Sequence, residues 1–351
     1  MKIAPIIHSM NQIWGEGGKY KYRLIHTGQH YDHNMSDQFF EQLEIPKPDI
    51  NLEVGSGTQA EQTAGIMIGY EKVLMNKKSD LSIVVGDVTS TMACAITAQK
   101  MQVPVAHVEG GIRSNDWSMP EEINRLLTDS VTNWFFTTSK FANQNLIQSG
   151  ISSDRIYFVG NTMIDTLLKN LDKIKKPRFW DNLDLNAKGY FVMTMHRPSN
   201  VDSLDKLKRT LKVIVDNTDN IPIVFPVHPR TKKQLNNLDI HASNLNFVDP
   251  QGYLEFIYLV KNAKGVITDS GGITEEASVM KVPCLSLREN TERPETVSIG
   301  TNELVGQDSE LIISALNKII SGNWKKSSVP EKWDGKTANR IVKTIPYLIH
   351  S

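Results

Sequence analysis

Six short apolar runs in this sequence end in residues able to carry charge or move a proton. Asp87 closes LSIVVGD, Glu109 closes VPVAHVE, His196 closes YFVMTMH, His228 closes IPIVFPVH, Asp269 closes KGVITD and Arg288 closes VPCLSLR. A strand core has no use for such groups, whereas open parallel sheets bind ligands just beyond the carboxyl ends of their strands. The run TDSGGITEEA at 268–277 is the most specific. A strand end, two glycines and a helix start give backbone N–H groups and a helix dipole aimed at one point, which is an anion site. Ser270, Gly271 and Gly272 would form it, and Glu276, one turn in, could accept both hydroxyls of a ribose.

A second group is acidic. Asp87, Glu109 and Glu121 fall near one expected sheet edge, where three carboxylates would raise one another's pKa and suit general acid–base chemistry. Glu121 has a structural alternative, because Ser118 and Glu121 have capping-box spacing with Pro120 in the first turn. Glu122 reads as a solvated side chain, and Arg125, four residues past Glu121, as its helical ion-pair partner. MHRPSN at 195–200 and PVHPRT at 226–231 each set a His beside an Arg at a strand end, a pattern that favours phosphate. Phe256 offers a ring for stacking on a base or for core packing. Arg288 and Arg293, in LRENTERPE, follow the last of these strands within reach of phosphate or sugar. His30 and His33 lack metal-ligand spacing and have no Cys nearby, so no metal site is expected.

The elements that must position these groups repeat as strand, polar turn and helix. Strands are expected within 22–26, 81–87, 103–109, 133–138 and 155–160, then within 190–196, 221–228, 245–249, 264–269 and 282–288. The pattern occurs twice and predicts an α/β protein of two Rossmann-like, doubly wound domains with one active site in the cleft between them. A length of 351 residues agrees, since single cores rarely grow past about 250–300 residues. The expected boundaries are 1–168, a charged linker over 169–189, a second domain at 189–335 and a C-terminal helix at 336–351 packing back on the first. The chain opens with a helix, apolar at Ile3, Ile6, Ile7, Met10, Ile13 and Trp14, where a doubly wound domain usually opens with a strand.

Lys+Arg and Asp+Glu number 39 each, so a generic nucleic-acid surface is not expected. No apolar run reaches about 18 residues, and the start lacks the order of a signal peptide, which points to the cytoplasm without a membrane span. Cys94 and Cys284 lie in apolar stretches and read as reduced, buried thiols.

The stretches TGQHYDHNMSDQFF, VVGDVTSTMAC, HVEGGIRS, MPEEINRLLTD, VGNTMIDTL, MHRPSN, FPVHPR, TDSGGITEEA and ERPETVSIGTNELVG resemble, in order and across nearly the whole chain, the non-hydrolysing UDP-N-acetylglucosamine 2-epimerases. The resemblance implies the GT-B fold of glycosyltransferases and interconversion of UDP-GlcNAc and UDP-ManNAc. In that chemistry UDP is eliminated to leave a 2-acetamidoglucal, then added back with the proton on the other face of C2, without metal or nicotinamide. It assigns catalysis to Asp87, Glu109, Glu121 and His196. It assigns UDP binding to Ser270, Gly271, Gly272 and Glu276, with His228, Arg113, Phe256 and Arg293 as lesser candidates and Lys2 in the place of the family's loop lysine; Arg125 and Arg197 are added as substrate-binding candidates from their positions in the sequence. It also implies a homodimer that feeds surface-polysaccharide synthesis. Family members usually open with a strand and a Gly-Thr-Arg-Pro-Glu loop. Here only Lys2-Ile3-Ala4-Pro5 matches, so a missing strand, an apolar gap and lowered stability are expected. HRPSN stands where many bacterial members have HRREN, and Gln29 matches an allosteric position without a clear partner arginine. Three alternatives stay open: a UDP-diacetamido-hexuronic acid as substrate, a UDP-sugar-binding chain without catalysis, and, fitting the acids less well, a glycosyltransferase.

Overall fold

A computed structural model describes residues 1–15, 18–28, 40–227, 235 and 242–350. His228, Arg230, Gln29, His30 and His33 lie outside the described residues. The chain divides into two compact units, residues 1–168 with 331–351, and residues 169–330.

In the first unit β1 (Ile25–His26) pairs in parallel with β2 (Ile50–Asn51), a strand with no counterpart among the expected ones. A separate parallel sheet has the order β3 (Ser82–Val85), β4 (Val105–Val108), β5 (Trp134–Thr137), β6 (Ile156–Phe158). Among the described residues no strand joins the two sheets. Side chains alternate across a strand, so one four-residue strand feeds two cores. Val105 points toward Tyr70, Val73 and Leu74 of helix Gln59–Asn76. Ala106 and Val108 point the other way, onto Ile6 and Met10 of helix Ala4–Trp14 and onto Ile341, Val342 and Ile345 of helix Thr337–His350. The buried Asp165 carboxylate fixes the start of that C-terminal helix by accepting the N–H groups of Thr337 and Ala338 at 3.1 and 2.7 Å.

The second unit is one parallel sheet of β7 (Phe191–Thr194), β8 (Ile223–Pro226), β9 (Leu245–Val248), β10 (Gly265–Thr268), β11 (Cys284–Ser286) and β12 (Asn302–Leu304). Its order is β12-β11-β10-β7-β8-β9. Phe191 and Met193 face one core with Leu207, Leu211 and Ile214, while Tyr190 and Val192 face the other with Leu259, Val260 and Ala277. The chain runs from β7 outward to β9, then returns to lay β10 on the other side of β7. That reversal is a topological switch point, the place beyond the strand ends where open α/β sheets bind ligands.

Residues 169–189, expected as a linker, belong to the second unit, and residues 331–335 belong to the first. The apolar side chains inside the charged stretch decide this. Trp180 is buried edge-on against Tyr190 and Tyr258, Leu185 is buried beside it, and Lys188 Nζ donates to the carbonyls of Lys261 and Ala263.

Candidate active site

In the first unit the strand ends carry ion pairs. Glu109 follows β4 with φ 76°, a left-handed conformation that costs a non-glycine residue about 1–3 kcal/mol and tends to mark functional sites. Its side chain is only 2% exposed, and Oε2 accepts from Lys2 Nζ at 2.9 Å. The same ammonium lies 3.3 Å from where a Cβ on Gly86 would stand, so Lys2 sits between the ends of β3 and β4.

Asp87, one residue on from Gly86, accepts from Arg125 Nη2 at 2.6 Å and Nε at 3.0 Å. Arg125 Nη1 donates to Glu122 at 2.7 Å, three residues back along helix Pro120–Ser130. The expected pairing of Arg125 with Glu121 is therefore replaced by a buried Glu122–Arg125–Asp87 chain. Glu122 is not solvated: it is buried and also accepts the N–H groups of Ser114 and Asn115. Burial opposes its ionisation, but the Ser114 N–H and the Arg125 guanidinium outweigh that and hold its pKa below the usual range. The capping box at Ser118 does not form. Met119 is the N-cap, and the Ser118 hydroxyl donates instead to Asp116 at 2.5 Å. Glu121 is half-buried in the first turn, and capping is not what holds it there. Asp87 and Glu109 thus each meet a cation.

Behind these strand ends lies a buried network that the sequence did not signal. His107 Nδ1 meets Asp129 Oδ1 at 2.7 Å and Nε2 meets the Gly86 carbonyl at 2.8 Å. Asp129 Oδ2 accepts Gly111 N–H and Arg113 Nη1. Burial works against the Asp129 charge, yet His107 and Arg113 outweigh it and depress its pKa. Arg113, expected on the substrate, thus points inward, with its side chain 9% exposed.

In the second unit the switch point holds an imidazole–carboxylate pair. Asp269, fully buried after β10, accepts the N–H groups of His196 and Arg197, the Asn200 amide and, at 2.9 Å, His196 Nδ1. Burial alone would raise the Asp269 pKa; the His196 hydrogen bond and charge, with the Arg197 N–H and Asn200, bring it below the usual value. An ionised acceptor fixes the proton on Nδ1 and leaves Nε2 of the exposed imidazole open for proton transfer.

Ser270 is the extended N-cap of helix Gly271–Val279 and spends no side-chain bond on the first turn, so the expected glycine junction is present with its N–H groups uncapped by that residue. Glu275 and Glu276 are both buried rather than solvated. Burial pushes the Glu276 carboxyl up to about 8, partly offset by the Tyr253 hydroxyl that donates to it at 3.0 Å. Arg293 Nε pairs with Glu275 at 2.6 Å. Phe256 is half-buried against the Tyr190–Val192 face of the core. Arg197 is half-buried, and its main chain helps hold Asp269.

Glu122, Asp129, Asn200 and Tyr253 were not anticipated, and Asp269 was noted only as a strand end. Their signal is tertiary, apart from the three-residue spacing of Glu122 and Arg125. Among the described residues no three His, Cys, Asp or Glu side chains are placed to hold a metal ion, and no helix is long and apolar enough to cross a membrane. Cys284 is buried as expected, Cys94 only half-buried, and desolvation pushes both thiols up to about 12.

The sequence model of the UDP-N-acetylglucosamine 2-epimerase family matches residues 15–346. A UDP-N-acetylglucosamine 2-epimerase of Methanocaldococcus jannaschii is 42% identical, over 99% of this chain and 96% of that protein. A UDP-2,3-diacetamido-2,3-dideoxy-D-glucuronate 2-epimerase of Pseudomonas aeruginosa is 38% identical over 83% of this chain and 82% of its own length. The crystal structure of the M. jannaschii enzyme in complex with UDP-GlcNAc and UDP superposes with a TM-score of 0.87 at 40% identity, covering 99% and 96% of the two chains. A glycosyltransferase structure at 9% identity and TM-score 0.58 shares the fold.

Proposed function

This chain belongs to the UDP-N-acetylglucosamine 2-epimerase family, and from that premise we propose that it interconverts UDP-N-acetylglucosamine and UDP-N-acetylmannosamine. The observation that carries the reading into chemistry is the switch point of the second unit. There an imidazole oriented by Asp269 stands at the end of β7, beside the helix start at Ser270–Gly272, whose N-cap side chain leaves the first turn uncapped and which suits a diphosphate.

The reaction balances without a redox partner. A carboxylate removes the C2 proton, the C1=C2 bond forms and the C1–O bond breaks with its electron pair on the UDP oxygen. For the second half, the UDP oxygen attacks C1 and a proton is delivered to the opposite face of C2. Asp87 or Glu109 takes the proton; Lys2 and Arg125 hold these two acids in place. Glu121 or His196 neutralises the departing phosphate oxygen, a step for which general acid catalysis typically supplies about 10²–10⁴-fold. Gly271 and Gly272 carry the phosphates, Glu276 the ribose and Phe256 the base, with Arg197 and Arg293 as further phosphate-binding candidates.

The wider assignment is a homodimer in the cytoplasm that supplies surface-polysaccharide precursors. Exposed Trp117, Ile123 and Leu127 give the first unit apolar surface for a second copy. In deuterated water UDP-GlcNAc is expected to yield UDP-ManNAc carrying deuterium at C2, and neither exchange nor product would reject the proposal. The P. aeruginosa relative supports a UDP-diacetamido-hexuronic acid as a second reading. A side-by-side substrate panel separates the two.

A further inference from the structure

The helix start at Gly271 is already occupied by a charge. A Cβ on Gly271 would lie 2.5 Å from Glu292 Oε1 and 3.3 Å from Arg288 Nη1. Glu292 therefore lays one carboxylate oxygen against the first residue of the helix, and its other oxygen accepts from Arg288 Nη2. The Arg288 side chain is only 3% exposed, and its Nε and Nη1 have no hydrogen-bond partner among the described residues. A guanidinium presents five N–H donors in a planar fork suited to two oxygens at once. Here one arm is used, and Nη1 is buried unspent beside the helix N-terminus. Leaving buried donors unmade is costly, so such a fork calls for a ligand with more oxygens than one carboxylate presents.

The geometry points to Glu292 as a resident stand-in for a nucleotide phosphate, displaced when the diphosphate arrives. The inference rests on the nucleotide reading above. In the ligand-free protein the Glu292 carboxylate takes the helix dipole and one arm of Arg288. A phosphate has more acceptor oxygens and greater charge, so it takes over Nη2 from Glu292 and engages the adjacent Nη1 as well, together with the first helical N–H groups. Glu292, on the loop after β11, swings out. Gly271 is required because any side chain there would fill the space that the two anions exchange. Arg288 is thereby a phosphate-binding residue and Glu292 an internal competitor that weakens nucleotide binding and speeds release.

The test is calorimetric titration of the full chain with UDP and with uridine. E292Q removes the competing charge and is expected to bind UDP about threefold to tenfold tighter, while R288Q is expected to bind it at least about tenfold weaker. Uridine, lacking phosphate, should bind all three proteins alike. E292Q alone decides the matter if R288Q fails to fold, because Glu292 lies nearer the surface than Arg288. Should E292Q bind UDP no tighter than the parent, the pair is a structural staple and the stand-in is overturned. Equal changes for UDP and uridine overturn it as well. A parent protein that binds no UDP rejects the nucleotide reading itself, whereas a parent that binds UDP beside an unimproved E292Q rejects this inference alone.

Discussion

Asp269→Asn isolates the part played by the imidazole at the end of β7. Asp269 Oδ1 takes His196 Nδ1 at 2.9 Å; Oδ2 takes Arg197 N–H at 2.9 Å and Asn200 Nδ2 at 3.0 Å. Asparagine keeps one of these oxygens. Placing it at the Oδ2 side preserves three donors, the His196 and Arg197 N–H groups and Asn200 Nδ2, and turns the amide N–H toward the His196 ring, which must then accept through Nδ1 and carry its proton on Nε2. Where Nε2 exchanges a proton with the leaving phosphate, kcat falls by about 10²–10⁴-fold, the usual range for a lost acid–base group and equal to about 3–5 kcal/mol of barrier. About three bonds also lose their charge assistance at roughly 1 kcal/mol each, a total near 3 kcal/mol. For a unit of this size that lowers Tm by about 6–12 °C.

The stability loss has a defined pH dependence. The Asp269 pKa is depressed in the fold, because hydrogen bonds centred on His196 overcome the opposing effect of burial. Its stabilisation is therefore complete above the unfolded aspartate value of about 3.9 and disappears as pH falls through the lower folded value. The Tm gap between parent and variant should be constant near neutrality and begin to narrow below about pH 4, closing as pH falls through the lower folded value. Steady-state rates across pH and thermal unfolding at several pH values provide the assay. A variant whose kcat stays within about threefold with an unchanged pH profile, or a Tm gap that does not narrow as pH falls below about 4, refutes the reasoning.

Arg125→Met strips the shared guanidinium from the buried Glu122 and from Asp87. Denaturant unfolding should show a loss of about 3–5 kcal/mol, relieved in part by adding Glu122→Met; a loss under about 1 kcal/mol would mean that the chain Glu122–Arg125–Asp87 is not structurally important. Glu276→Gln tests the carboxyl whose pKa burial raises to about 8. A raised folded pKa stabilises fully below the unfolded value of about 4.3 and loses that contribution as pH climbs through 8, so the variant should gain Tm relative to the parent between pH 5 and 9. A difference that is flat across that range counts against the assignment.

Much of the fold was legible because hydrophobic runs and turn residues are local. VAHV at 105–108 and FVMT at 191–194 are buried on both faces of parallel sheets, and such strands read as continuous apolar runs. The glycine junction after β10 was legible for a similar reason, since strand, glycines and helix are consecutive. Two-residue strands such as Ile50–Asn51 carry too little pattern to read. The supposed linker failed because Trp180 and Leu185 find their partners in Tyr190 and Tyr258, which a local composition count does not weigh.

What the sequence determined alone is the inventory: acids and imidazoles at strand ends, a helix start open to anions, and the motifs that place the chain in its family. Which charges meet was decided only in three dimensions. Arg125 chose Glu122 and Asp87 over Glu121, Arg113 turned inward to Asp129, and Asp269 became the holder of His196. The reason is physical. Apolar periodicity is written residue by residue, but a buried charge is tolerated only where donors and acceptors from separate strands and helices converge. That convergence is a property of the packed chain, and it sets Glu292 against Arg288 beside the helix start at Gly271.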